Sequence, residues 1–99
     1  MSNLPTISVS LLPGTEEYQQ DLLVFFDWMI HKLHKHRSKG HWENASPEQY
    51  MVLLDGERNE LQEALESNNT AWILEESADV ANMALILASS AIRRAFSHE

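Results

Sequence analysis

The sequence predicts an all-α protein, a helical bundle of three main helices preceded by an extended N-terminal arm. Three observations predict it. Apolar residues recur at intervals of three and four along three long stretches, helix-capping and helix-stopping residues separate those stretches, and no segment reads as the core of a sheet.

The elements follow in order. Residues 1–14 carry Pro5, Pro13 and Gly14 around the β-leaning run "TISVSLL", which favours an extended arm able to pack on a neighbouring subunit. Thr15 is a suitable N-cap, with Glu16 and Glu17 in the first turn where the helix dipole favours acids. The first helix then runs to about Lys39 on the stripe Leu22, Leu23, Phe25, Phe26, Met29, Ile30 and Leu33, and Gly40 stops it. "ENASPEQY" restarts the chain as a helix, with Ser46 as N-cap, Pro47 at the first helical position and Gln49 closing a capping box. This second helix continues through Glu66. "SNNT" is a turn with Thr70 as the next cap, and a third, strongly apolar helix extends from Ala71 to about Phe96. In it Ala78, Ala81, Ala84, Ala88 and Ala91 permit close approach of other helices.

Size and charge limit the function. The 99 residues form one domain, 1–99, made of the arm (1–14) and the bundle (15–99). A domain of this size buries a modest share of its surface, so self-association as a homodimer or homotetramer is expected. The formal net charge of −8 argues against binding nucleic acid polymers, which calls for a basic face. An acidic protein can still take a polyanion if a divalent cation lies between them. There is no cysteine, hence no disulfide or thiolate metal site. The opening residues lack the pattern of a signal peptide, and the longest apolar stretch, Val80 to Ala88, is too short to span a bilayer. A soluble, cytoplasmic protein without membrane attachment is expected.

One feature conflicts with ordinary bundle composition. The inward row of the second helix, Leu53, Glu57, Glu60 and Ala64, keeps the rhythm of a bundle seam but places acids at two positions. The third helix repeats this in Trp72, Glu76, Asp79, Met83, Ile86 and Ser90. A short turn makes the two helices antiparallel neighbours. The first acidic pair lies about ten residues before the turn and the second about nine after it; at about 1.5 Å per residue, four carboxylates stand at one height. Left bare, they would raise one another's pKa or force the helices apart. A hard divalent cation resolves the conflict, and Mg2+ suits an open, all-oxygen set that also takes substrate phosphates. Zinc would want a histidine or thiolate here. Glu63 continues the acidic row and either reaches the edge of the site or is solvated surface, whereas Glu66 and Glu75 read as surface. Asn82, one turn past Asp79, either contacts phosphate or orients a ligand, or makes a polar contact between helices.

"ERNELQEAL" followed by "EESADVAN" resembles the E-x-x-E and E-x-x-D signature of MazG-like nucleoside triphosphate pyrophosphohydrolases, an all-α superfamily. Glu57 and Glu60, then Glu76 and Asp79, occupy the matching positions. "HWENASPEQY" and "IHKLH" are similar to segments of the dCTP-pyrophosphatase-like members, so the resemblance covers about residues 30–90. It implies a Mg2+-dependent enzyme that converts a (d)NTP to the (d)NMP and pyrophosphate in the house-cleaning of unwanted nucleotides. It also implies a homo-oligomer whose active site is a four-helix arrangement. Two departures stand out: the basic C-terminal segment of some relatives has no counterpart, and Asn82 and Met83 stand where some members have aromatics.

On this expectation Glu57, Glu60, Glu76 and Asp79 are both metal ligands and catalytic groups, one glutamate doubling as general base. Basic groups come from "HKLHKHRSKGH", which gathers Lys32, Lys35, Arg37 and Lys39, with His34 and Lys39 as the preferred substrate contacts; Arg93 could serve a site across an interface. Trp42 is the stacking candidate for the base, Trp72 is either a second one or bundle core, and Trp28 belongs to core or interface. Two other metal sites are weaker. His31, His34, His36 and His41 have no accompanying acid, and a di-iron bundle needs E-x-x-H pairs that are missing here. The alternative function is a non-enzymatic helical interaction or adaptor module.

Overall fold

A computed structural model describes residues 4–39 and 45–96, without the side chains of Ser38 and Lys39. Its order is a 3-10 turn, Glu16–Tyr18, followed by α1, Gln19–Lys39, α2, Pro47–Ser67, and α3, Thr70–Phe96. There is no strand among the described residues, and the expected all-α, three-helix architecture is present. No helix among them is long and apolar enough to cross a membrane.

The helix ends are set by local hydrogen bonding. At α2 the capping box forms: the Gln49 backbone N–H donates to Ser46 Oγ at 3.2 Å, and the Ser46 N–H donates to Gln49 Oε1 at 2.7 Å. Asn68 closes the helix in the left-handed conformation at φ 57°, which asparagine tolerates better than most residues. Two expected caps differ. Thr15 makes no side-chain cap; its hydroxyl donates back to the Leu12 carbonyl at 2.7 Å, and the chain enters α1 through the 3-10 turn. Asn69 rather than Thr70 starts α3, because its Oδ1 accepts from the Trp72 N–H at 3.0 Å. Asparagine is the stronger N-cap of the two, and Thr70 becomes the first helical residue.

The central element is α3. Both α1 and α2 pack on it, and α1 and α2 do not pack on each other among the described residues. This explains why α3 is the most apolar of the three and why its buried residues, Glu76, Ala78, Asp79, Asn82 and Met83, fall on more than one face. Small residues, Ala64 on α2 and Ala78 on α3, are fully buried. Along α2 the seam runs through Leu53, Leu54, Glu57, Leu61 and Ala64, so Leu61 takes the place expected for Glu60, which is exposed. The expected α3 row is buried or half-buried from Trp72 through Ile86, and Ser90 is exposed.

On α1 the covered side is Leu22, Phe25, Trp28, Met29, Lys32, Leu33 and His36, whereas Leu23, Phe26 and Ile30 of the expected stripe are exposed. The apolar arc of α1 is wider than one neighbouring helix can cover. The same holds for α3, where Ala84, Ala88 and Ala91 lie open. The arm from Leu4 to Ser10 is without helix or strand and exposed throughout. An open layer results. The radius of gyration is 15.5 Å, against about 13 Å for a compact domain of this length. The accessible surface is 8034 Å2, against about 5,800 Å2 for a typical folded monomer of this mass.

Candidate functional site

The site forms where α2 and α3 run side by side. On α2, Glu57 lies between Leu54 and Leu61 on the seam, so its backbone position points the carboxylate at α3. On α3, Glu76 and Asp79 sit three residues apart on one face, at 7% and 3% exposure. One carboxylate oxygen from each of Glu57, Glu76 and Asp79 comes within 4.8 Å of the others. Glu57 Oε2 and Glu76 Oε2 are buried without a hydrogen-bond partner. Buried acceptors are ordinarily satisfied, so this pair marks where a donor or cation is wanted.

The electrostatics agree with the geometry. Burial above all, and then the charges of Asp79, Glu60 and Glu76, raise the Glu57 carboxyl to about 8. Glu76 rises to about 7, first by burial and then through its hydrogen bond with the Glu60 side chain and the charge of Asp79. The Trp72 side chain, one turn earlier on α3, opposes that shift by hydrogen bonding to Glu76. Glu60 is therefore exposed yet electrically part of the group. All four expected acids share one neighbourhood, three as a tight set and Glu60 at its rim.

Asp79 is bound differently. Lys32 Nζ lies 3.3 Å from its Oδ2, and His36 Nε2 lies 3.2 Å from its Oδ1. These two α1 residues, four apart on one helical face, are the neighbours of Asp79 that sequence reasoning ranked below His34 and Lys39. The signal was present: Met29 and Leu33 belong to the inward stripe, and Lys32 and His36 continue the same face. His34, turned about 200° from either at about 100° per residue, is exposed.

The remaining candidates are dispersed. Asn82 is fully buried and donates through Nδ2 to the Met29 carbonyl at 2.9 Å, an α1–α3 brace of the interhelical kind. Arg93 is exposed on α3, about 21 Å beyond Asp79 along the helix at about 1.5 Å per residue. Trp42 and His41 lie outside the described residues, as does the side chain of Lys39. Trp28 and Trp72 are half-buried, Glu63 and Glu66 exposed, and Glu75 half-buried. The histidines do not gather among the described residues: His31 donates from Nδ1 to the Asp27 carbonyl at 2.8 Å, while His36 faces Asp79.

The chemistry of the donor set is plain. Three carboxylates converge with all-oxygen ligands, a hard set that fits magnesium, calcium or manganese better than softer metals. Comparison with known proteins adds no constraint: no family model, curated protein or solved structure matches the chain.

Proposed function

We propose that the protein is a Mg2+-dependent nucleoside triphosphate pyrophosphohydrolase, a cytoplasmic hydrolase of phosphoric anhydrides that converts (d)NTP to (d)NMP and pyrophosphate and clears unwanted nucleotides. The proposal rests on the E-x-x-E and E-x-x-D resemblance and on one structural observation. Buried Glu76 and Asp79 converge with half-buried Glu57, and one buried oxygen each of Glu57 and Glu76 lacks a hydrogen-bond partner.

Glu57, Glu76 and Asp79 would hold the cation, with Glu60 at the rim. The cation, when bound, supplies positive charge for the phosphates and makes a bound water more acidic. The chain's own part is to orient and to move a proton. The α2–α3 seam fixes Glu57 against Glu76 and Asp79, and the Trp72 hydrogen bond helps keep Glu76 ionised. One glutamate of the group takes a proton from water as the water oxygen bonds to phosphorus. The α,β anhydride bond breaks, and its electron pair leaves with pyrophosphate. In this reading the open apolar faces of α1 and α3 are covered by further copies of the chain as a homodimer or homotetramer, which completes a four-helix site. The roughly 2,200 Å2 of surface above the monomer expectation leaves ample room for a standard interface of about 800 Å2 per partner.

The test is a panel of canonical and modified nucleoside triphosphates, with pyrophosphatase added and orthophosphate read by malachite green. At least one substrate is expected to release pyrophosphate with magnesium and none with chelator. The exposed apolar residues also suit the alternative, a non-enzymatic interaction module. A folded protein silent across the panel, whose Glu60→Ala and Asp79→Ala variants keep or gain stability, would favour that module.

A further inference from the structure

The same carboxylates are not equally served. Glu57 and Glu76 each keep a buried oxygen with no partner, whereas both oxygens of Asp79 are engaged from α1, Oδ2 by Lys32 and Oδ1 by His36. The Lys32 side chain is 13% exposed and that of His36 15%, so these contacts are largely shielded from water. An ammonium group so placed offsets much of the charge that the cluster would otherwise leave uncompensated. It also stands in the way of a second cation, because a divalent ion held by Asp79 and a lysine ammonium on the same carboxylate repel each other at short range in a poorly solvated site.

We infer that Lys32, assisted by His36, is an exchangeable counter-cation for Asp79: it occupies the carboxylate when no divalent ion is bound, yields it on loading, and then grips the phosphates of the incoming polyphosphate. This rests on the metal-dependent reading above. The lysine side chain suits the exchange, since its charge sits at the end of a flexible four-carbon stem and can be re-aimed without moving the helix. His36, one turn later on the same face, is placed to follow the same anion. The device gives an order of events. Loading the cation frees a phosphate-binding group, so cation and polyphosphate bind cooperatively rather than independently.

A lysine that merely anchored Asp79 would have the opposite consequence for metal affinity, which makes the inference testable without activity. Mn2+ binding to wild type and to Lys32→Met is measured by calorimetry in the absence of any phosphate. Magnesium tripolyphosphate, a probe without base or sugar, is then titrated into both proteins. Lys32→Met is expected to bind Mn2+ severalfold more tightly than wild type and magnesium tripolyphosphate about tenfold more weakly, the loss expected for a charge-assisted hydrogen bond. If Lys32→Met does not fold, Lys32→Gln carries the same expectation. Equal or weaker Mn2+ binding by the folded variant, or an unchanged affinity for the polyphosphate, overturns the exchange while leaving the metal site intact. Absence of Mn2+ binding by wild type removes the metal reading itself.

Discussion

The interior around α3 and the outer faces of α1, α3 and the arm have exchanged their usual occupants. Among the described residues, half of those classed as buried are Glu76, Asp79 and Asn82, beside Ala64, Ala78 and Met83. Outside stand Ile7 at 89% exposure, Leu23 at 61%, Ile30 at 59% and Phe96 at 70%. Burying ionised carboxylates and wetting large apolar side chains are both unfavourable. Each half of the inversion bears on a different part of the proposed function: the interior on the bound cation, the exterior on association with another polypeptide surface. The two demands are separable, and mutations can address them one at a time.

The largest effect is expected at the interior. Glu76→Ala and Asp79→Ala should each lower triphosphate turnover by about a hundredfold or more, the scale on which removal of a group that stabilises transition-state charge is felt. Steady-state assays with the best substrate of the panel check this. The exterior should respond in association state rather than chemistry first. Ile30→Glu or Leu23→Glu places a charge on the wet face of α1; in a lone chain it would change little, and in an oligomer it is expected to produce monomers by light scattering at micromolar concentration.

The interior can then be probed by pH. Glu57 and Glu76 have folded-state pKa values raised from 4.5 to about 8 and about 7. The folded protein therefore holds protons that the unfolded chain has released between pH 4.5 and 8, and stability falls as pH rises through that window. Metal-free protein is expected to melt several degrees lower at pH 8 than at pH 5, each kcal/mol corresponding to about 4–8 °C in a domain of this size. Glu57→Gln, which removes one of the crowded charges, should flatten the slope and raise the melting temperature at pH 8. Added magnesium should restore the wild type but not help the variant as much.

The smallest effect is a control on local structure. Ser46→Ala removes the α2 cap and should cost about 1 kcal/mol without altering cation binding, because the capping box lies about three turns from Glu57.

What the sequence disclosed follows the same division. Helix number and approximate ends were legible because caps and stops are local: Ser46, Pro47 and Gln49 form their box whatever surrounds them. The caps that differed, Thr15 and Thr70, were decided by competition from neighbours, the Leu12 carbonyl for one and the Asn69 side chain for the other. The acidic set was legible because charges on seam positions violate the apolar rhythm. Its details were not. Glu60 yields the seam to Leu61, a difference of one residue around the helix that spacing alone leaves open. Lys32 and His36 were hidden for another reason: which of several basic residues in "HKLHKHRSKGH" faces Asp79 depends on how α1 is rotated against α3, and that rotation is set by packing and by the Asn82 bond to the Met29 carbonyl. The same rotation leaves Leu23, Phe26 and Ile30 uncovered.

Carboxyl-carbon NMR of Glu57 and Glu76, titrated with and without magnesium, tests the interior account most directly. Without the ion, midpoints near 8 and 7 are expected; with excess magnesium both groups should already be ionised at pH 6. Midpoints that do not move when magnesium is added would contradict the account, because the acids would then be tolerated in the seam for a reason other than a bound cation.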